Sequence, residues 1–161
     1  MDIIGKSVAL RPLTRELCHE IYKKYAADPM MTDEVYEYSV ENVDDYFDER
    51  IKDSKRRMFA IIVNETAIGE VQIKYINNIV KKGNLGIHLV NDSVKGKGYG
   101  TEAEKLMIQY AFGQLGLNIL YADAVIRNTR SQYIMKKLGF QYVCEDEVFR
   151  YYELKKDDWL W

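Results

Sequence analysis

The residues with the clearest chemical potential form a glycine- and lysine-rich segment, Lys95-Gly96-Lys97-Gly98-Tyr99-Gly100-Thr101. It follows a strand-like apolar run at residues 85–90 and precedes residues 103–111, whose apolar side chains recur at helical spacing. A glycine-rich turn before a helix places unpaired backbone N–H groups beside the positive end of the helix dipole. The pattern therefore predicts a binding site for a phosphate or pyrophosphate group.

The spacing of the glycines excludes the two common nucleotide motifs. A P-loop requires G-x-x-x-x-G-K-[ST] and a dinucleotide fingerprint requires G-x-G-x-x-G, whereas residues 96–100 read G-x-G-x-G. The alternative is a turn that only reverses the chain. Such a turn would lose conformational entropy at three glycines and would place two lysines beside the positive dipole end. A bound anion would offset both effects, and this is the interpretation we favour.

Length, charge and composition restrict the class of protein. The chain has 161 residues and a net charge of −2, which predicts one domain over residues 1–161 and no general attraction for nucleic acid or an anionic membrane. No apolar run approaches the ~20 residues of a membrane span, and the N-terminus turns polar too early for a signal peptide. Cys18 and Cys144 stand far apart, which predicts reduced thiols, a cytoplasmic location and no metal site.

Periodicity predicts an α+β fold in the order β-α-α-β-β-β-α-β-α-β-β, around a mostly antiparallel sheet. Thr14, Ser39 and Asn128 are predicted to be helix N-caps, and Asp28-Pro29 is expected to end the first helix. The second helix is expected to bury Val43, Tyr46, Phe47 and Ile51. The predicted strands are residues 8–11, 58–63, 67–76, 85–90, 119–126, 140–143 and 148–154, and the helix after the glycines is predicted to end near Leu115.

The segment Lys95-x-x-Gly98-x-Gly100 resembles the signature of the GNAT acetyltransferases, [Q/R]-x-x-G-x-[G/A]. The longer Gly-Lys-Gly-Tyr-Gly-Thr-Glu-Ala string is similar to that of the branch containing ribosomal-protein N-terminal acetyltransferases and spermidine acetyltransferase. Further matches follow in the family's order: Leu10–Leu13 with its opening strand, Asn128-x-x-Ser131 and Lys137–Phe140 with its last helix, and Tyr152-x-Leu154 and Asp158-Trp159 with its C-terminal end. The resemblance covers most of the chain and implies a GNAT-like fold with about four helices flanking the sheet.

This resemblance implies an enzyme that moves an acetyl group from acetyl-CoA directly to a primary amine, with no metal and often as a homodimer. Backbone N–H groups from Lys95 to Thr101 would hold the CoA pyrophosphate, in agreement with the argument from the glycines. The peptide-like pantetheine arm would pair with β-strand edge groups, and Asn128 would bond the same arm as well as capping its helix. The expected CoA contacts are Leu89, Val90, Lys95, Gly96, Lys97, Gly98, Tyr99, Gly100, Thr101 and Asn128.

Proton transfer is predicted to involve Glu70, His88 and Ser131. An alkyl ammonium group with a pKa of ~10.4 must lose a proton before it attacks, and Glu70 or His88 could accept it. The alternatives are an ordinary solvated carboxylate and an ordinary strand histidine. Asn84 stands where the resembled branch often has an acidic residue, and Met135 stands where it often has a tyrosine acid. Ser131 shares the helical face of Met135 and is the nearest proton donor there.

The amine acceptor is expected beside the two early helices, which form the acceptor wall in the resembled fold. Residues 28–53 contain ten Asp and Glu residues against Arg50 and Lys52. Five tyrosines accompany them: Tyr22, Tyr25, Tyr36, Tyr38 and Tyr46. Carboxylates and tyrosine faces attract ammonium groups, which predicts a cationic acceptor such as a polyamine, with a solvated acidic helix over core tyrosines as an equal alternative. A protein N-terminal acetyltransferase and a non-catalytic acyl-CoA-binding module also remain open.

Overall fold

A computed structural model describes residues 1–161 and contains eight strands, four α-helices and two 3-10 turns. The strands are β1 (Ile3–Ile4), β2 (Ala9–Pro12), β3 (Arg57–Val63), β4 (Thr66–Asn77), β5 (Lys82–Leu89), β6 (Ile119–Val125), β7 (Gln141–Glu145) and β8 (Phe149–Lys155). The helices are α1 (Arg15–Lys24), α2 (Val40–Ile51), α3 (Tyr99–Gly113) and α4 (Thr129–Lys137), and the 3-10 turns are Asp92–Val94 and Lys156–Asp158.

All eight strands form one sheet in the order β1-β2-β3-β4-β5-β6-β8-β7. Only β5 and β6 run parallel, and the other neighbouring strands pair antiparallel. The predicted α+β fold with a mostly antiparallel sheet is therefore confirmed. Each predicted N-cap (Thr14, Ser39 and Asn128) accepts a hydrogen bond from the backbone N–H three residues later, which fixes where α1, α2 and α4 begin.

Helices cover both faces of the sheet because successive strand residues point to opposite sides. Along β3, Phe59 and Ile61 pack into the larger core with α3 and α4. Ala60 and Ile62 point the other way, into the smaller core beneath α1 and α2. The elements that bear the candidate site, β5, α3 and α4, are thus held by the larger core, and α1 and α2 form a separate wall on the opposite face.

Three details of the sequence-based prediction were wrong. Strand β1 was missed because two residues carry no periodicity. Helix α1 ends at Lys24 rather than at Asp28-Pro29, and just beyond it the Ala26 N–H donates to the Val90 carbonyl at 2.7 Å, so tertiary contact shortens the helix. Ile51, the last residue of α2, is 54% exposed instead of buried.

Three further features of the fold concern helix length, clusters of metal-ligating side chains and the cysteines. None of the four helices is long and apolar enough to cross a bilayer. No three His, Cys, Asp or Glu side chains lie close enough together to hold a metal ion. Cys18 is buried, Cys144 is exposed, and neither forms a disulfide.

Candidate active site

A cleft opens between β5 and β6 because their parallel pairing stops early. The two strands pair only where Lys82–Asn84 face Ile119–Tyr121, and beyond this point residues 85–89 and 122–125 diverge. We distinguish a loop half, beside the glycine segment and the end of α1, from a fork half, between the diverging strands and α4. Six residues line both halves: Met31, Ile87, His88, Glu104, Asn128 and Ser131.

The glycine segment forms the free helix N-terminus that the sequence predicts. Gly96 and Gly98 have φ values of +75° and +85°, in the left-handed region that glycine adopts without strain. The backbone N–H groups from Gly96 to Thr101 have no acceptor in the protein, whereas that of Lys95 is bonded to the Asp92 carbonyl at 3.2 Å. The free donors therefore begin one residue later than expected, and they suit an anion at the start of α3.

The cation beside this loop is an arginine that the sequence prediction missed. The side chain of Arg130 lines the loop half, forms no ion pair, and places Nη2 3.4 Å from the position of a Cβ atom on Gly96. By contrast, Lys95 Nζ is paired with Asp28 at 3.1 Å, and the exposed Lys97 does not line the cleft. The signal that could have identified Arg130 is its place in the first turn of α4, directly after the Asn128 cap.

The free backbone N–H and C=O groups on the edge of β5 belong to different residues from those predicted. The Val90 N–H donates to the Ile68 carbonyl at 2.9 Å and the Val90 carbonyl accepts from Ala26, so both groups are occupied. Because antiparallel pairing alternates, the N–H and C=O groups of Ile87 and Leu89 point away from β4 and towards the cleft. Leu89 stays a candidate partner for an extended ligand, Val90 does not, and Ile87 was missed.

Asn128 and Ser131 stand together at the start of α4, where both line the cleft. Asn128 Oδ1 accepts the Ser131 N–H at 3.1 Å, which leaves the Asn128 amide N–H₂ and the Ser131 hydroxyl without protein partners. Capping and ligand contact are therefore compatible at Asn128, as the sequence suggests. Met135 is buried one turn beyond Ser131 and lines the fork half only.

His88 lies where the two halves of the cleft meet. Its ring packs edge-on against Tyr25 with centroids 6.0 Å apart, and Nδ1 is buried without a hydrogen-bond partner. Burial and the nearby Lys74 ammonium lower the pKa of His88 below its ordinary value. The ring lines both halves of the cleft, and a neutral imidazole there can accept a proton.

Glu70 is directly opposite His88 in the β4–β5 register, but its carboxylate does not line the cleft. It is 1% exposed and accepts hydrogen bonds from the Tyr22 hydroxyl at 3.0 Å and the Tyr46 hydroxyl at 2.8 Å. Burial raises the pKa of Glu70, and the two tyrosine hydrogen bonds oppose that rise. This carboxylate anchors α1 and α2 to the sheet and faces the reacting position less directly than His88 does.

A second carboxyl in the cleft was not predicted. Glu104, on α3, is 9% exposed, lines both halves, and has a fully buried Oε2 atom with no hydrogen-bond partner. Burial raises the pKa of Glu104 from 4.5 to about 8. Helical spacing could have revealed it, since Glu104 shares its face with the buried Met107, Ile108 and Ala111.

The tyrosines of the acidic region form a connected cluster beside the loop half. Tyr25 contacts Tyr22 and Tyr36 at ring-centroid distances of 5.6 and 5.1 Å, and it separates the cleft from a neighbouring pocket that includes Glu34 and Tyr36. Six of the ten acidic side chains in residues 28–53 are already paired with cations. The ion-paired acidic residues are Asp28, Asp33, Asp44, Asp48, Glu49 and Asp53.

A parallel strand pair that forks beside a glycine-bordered helix N-terminus is the architecture of an acyltransferase that holds an acyl-CoA in the fork. Residues 7–141 match the family model described as the acetyltransferase (GNAT) domain, and the chain belongs to that family. It is an N-acetyltransferase, and its acetyl donor is acetyl-CoA. The resemblance inferred from the sequence is confirmed.

Similar proteins include enzymes that act on polyamines. The chain is 32% identical to spermidine N(1)-acetyltransferase of Escherichia coli strain K12 over 137 residues, which are 83% of this chain and 73% of that protein. It is 26% identical to the probable N-acetyltransferase YjcK of Bacillus subtilis over 84% of this chain and 81% of that protein. A structure of spermidine N-acetyltransferase from Vibrio cholerae with CoA and spermine superposes with a TM-score of 0.83, at 20% identity, over 96% of this chain and 99% of that chain.

Proposed function

We propose that this enzyme acetylates a polyamine such as spermidine on a primary amine. The observation that carries the proposal is that the pocket containing Glu34 shares Tyr25 and Ala26 with the loop half of the cleft, which also holds His88 and the free N–H groups at the start of α3. The similarity to the spermidine acetyltransferase of Escherichia coli supports the same acceptor.

The loop half of the cleft suits CoA. The free backbone N–H groups from Gly96 to Thr101 and the guanidinium of Arg130 would bind the pyrophosphate. The amide groups of the pantetheine arm would pair with the outward backbone groups of Leu89 and Ile87, as an added strand in the fork. This arrangement directs the thioester to the residues shared by both halves of the cleft.

His88 is the proposed proton acceptor for the attacking amine. A primary ammonium with a pKa of ~10.4 needs roughly 4–5 kcal/mol to become neutral at pH 7, and a neutral imidazole at the reacting nitrogen lowers this barrier. The lowered pKa of His88 keeps the imidazole unprotonated at neutral pH. Ser131 is proposed to bond the thioester or the departing sulfur, and Glu70 is proposed to position the tyrosine cluster.

The pocket containing Glu34 suits a ligand with two or more ammonium groups. Glu34 is exposed, has no ion pair, and shares its pocket with Tyr25 and Tyr36. With one polyamine nitrogen beside His88, a second ammonium would lie against this carboxylate and the tyrosine faces. Attraction of this kind weakens with salt, because the carboxylate is open to solvent.

The test is a steady-state measurement of CoA release with spermidine, spermine and a neutral amine of similar length. We expect the polyamines to be better acceptors, and Glu34→Gln to raise the KM for spermidine about tenfold while leaving that for acetyl-CoA unchanged. Glu147→Gln, at an exposed residue outside both pockets, is the control. A chain that binds CoA but acetylates no amine would be a non-catalytic acyl-CoA-binding module. Equal activity on the neutral amine would refute the cationic acceptor.

The proposal extends to the oligomeric state of the enzyme and to its location in the cell. We propose that residues 1–161 act as one domain and form homodimers, supported by the exposed Tyr142, Val143 and Val148 at the β7 edge of the sheet. Light scattering tests the oligomeric state. A cytoplasmic location is supported by the two free cysteines.

A further inference from the structure

Glu104 is a buried carboxyl in the cleft with no partner in the protein. It occupies the sheet-facing side of α3, next to Ala103 and one turn before Met107 and Ile108, all three of which are fully buried. Its Oε2 atom is inaccessible and has no hydrogen-bond partner. A buried polar group without a partner destabilises a fold, so this position is one where packing alone would favour an apolar residue.

The position of Glu104 coincides with the point where donor and acceptor must meet. It is one of the six residues that line both halves of the cleft, together with His88, Asn128 and Ser131. The fork half also contains Met135, a residue that cannot donate a proton. The fork half therefore contains a protic side chain from α3, Glu104, together with Ser131 and Met135 from α4.

Other charged and titratable side chains reach this cleft from each element packed around it. They are Lys74 on β4, His88 on β5, Asp123 on β6, Arg130 on α4, Lys95 before α3, Tyr99 on α3, and Tyr25 and Asp28 after α1. None is hydrogen-bonded to Glu104, and burial alone accounts for its raised pKa. Burial lowers the pKa of His88 instead, which favours the neutral imidazole. Two groups whose pKa values are displaced in this way suit the acid and the base of one reaction.

We propose that Glu104 is the general acid that protonates the sulfur of CoA as it departs. This inference deepens the proposed function and rests on it. In the step, His88 first takes the ammonium proton of the amine and releases it to solvent. The neutral nitrogen then bonds to the thioester carbonyl carbon, and the second proton that it loses passes to His88. The carbon–sulfur bond breaks with its electron pair on sulfur, and the Glu104 carboxyl proton moves to that sulfur. The products are the amide and the CoA thiol, and solvent then returns a proton to Glu104 and removes one from His88.

Steady-state kinetics of Glu104→Gln test the proposal, with the amine that the wild-type enzyme acetylates best as the acceptor. The variant keeps the size of the side chain but has no carboxyl proton to donate. We expect kcat to fall 10- to 100-fold, near the lower end of general-acid effects because a thiolate is a moderate leaving group, and the KM for acetyl-CoA to change less than twofold. The kcat of the wild-type enzyme should decline above about pH 8, and this decline should be absent in the variant.

Two controls separate a proton donor from a binding or structural group. Calorimetry with CoA shows whether the variant is folded and binds its donor, and Glu147→Gln, at an exposed residue without partners, should retain the wild-type kcat and pH profile. A raised KM or Kd with unchanged kcat would overturn the proposal and make Glu104 a pantetheine contact. Unchanged kinetics would also overturn it. Activity only on amines other than polyamines would refute the proposed acceptor and leave this measurement valid, whereas no activity on any amine would refute both.

Discussion

We expect the buried carboxyl of Glu104 to give the stability of the fold an unusual pH dependence. Burial raises the pKa of this carboxyl from 4.5 to about 8, so the folded protein keeps a proton that the unfolded chain releases at lower pH. The stability associated with this proton is fully present below pH 4.5 and is lost as the pH rises through 8. Replacement with glutamine removes the titration while keeping the size of the side chain.

The magnitude follows from the two pKa values. Each pKa unit corresponds to about 1.4 kcal/mol, so complete ionisation would lower the free energy of unfolding by about 5 kcal/mol. Part of this free energy of unfolding has already been lost at pH 6. Between pH 6 and pH 9, Glu104→Gln should therefore gain about 3 kcal/mol relative to the wild-type protein, a large share of the 5–15 kcal/mol typical of a domain.

Urea denaturation of both proteins at pH 6, 7, 8 and 9 measures this difference directly. Other groups, His88 among them, titrate in both proteins, so their contributions cancel in the comparison. Glu147→Gln, at an exposed residue without partners, should follow the wild-type curve. A difference between wild type and Glu104→Gln that stays constant with pH would refute the argument, because it would mean that the carboxyl is ionised or solvated in the folded protein.

Three further predictions concern the cleft. Gly98→Trp should abolish CoA binding in calorimetry, because φ at residue 98 is +85° and the added side chain would enter the loop that holds the pyrophosphate; Gly113→Ala, in open space at a negative φ, should retain binding. Ser131→Ala should lower kcat about two- to fivefold in a thiol-release assay, since it removes one hydrogen-bond donor from the cleft, and an unchanged rate would exclude the hydroxyl from the reaction. Met135→Tyr should restore part of the kcat lost in Glu104→Gln by bringing a phenol to the fork half; no recovery in a folded double variant would mean that the phenol does not reach the sulfur.

The features predicted correctly from the sequence are those encoded within a few residues. Thr14, Ser39 and Asn128 cap their helices through bonds that reach only three residues along the chain. The glycine segment is similarly local, because positive φ values at Gly96 and Gly98 depend on residue type more than on tertiary contacts. Fold class followed from the order of such local signals along the chain.

The errors occurred where the answer depends on residues distant in sequence. Val90 was expected to offer its backbone to a ligand, but Ala26 and Ile68 occupy both of its polar groups, and neither contact can be inferred from the residues around Val90. Arg130 reaches the glycine segment only because α4 begins beside α3 in space. Local patterns therefore predict where a site begins, and the sheet register decides which neighbouring groups remain free to complete it.

The burial of Glu104 affects both the stability of the fold and the proposed proton donation. The burial that holds the carboxyl protonated also weakens the fold at alkaline pH, and a leucine at this position would remove both effects. We therefore expect Glu104→Leu to be more stable than the wild-type enzyme at pH 8 and slower in turnover, the relation found where a fold gives up stability for activity. Higher stability together with an unchanged kcat would show that the buried carboxyl weakens the fold without contributing to the reaction, and His88, Asn128 and Ser131 alone would then account for the chemistry of the cleft.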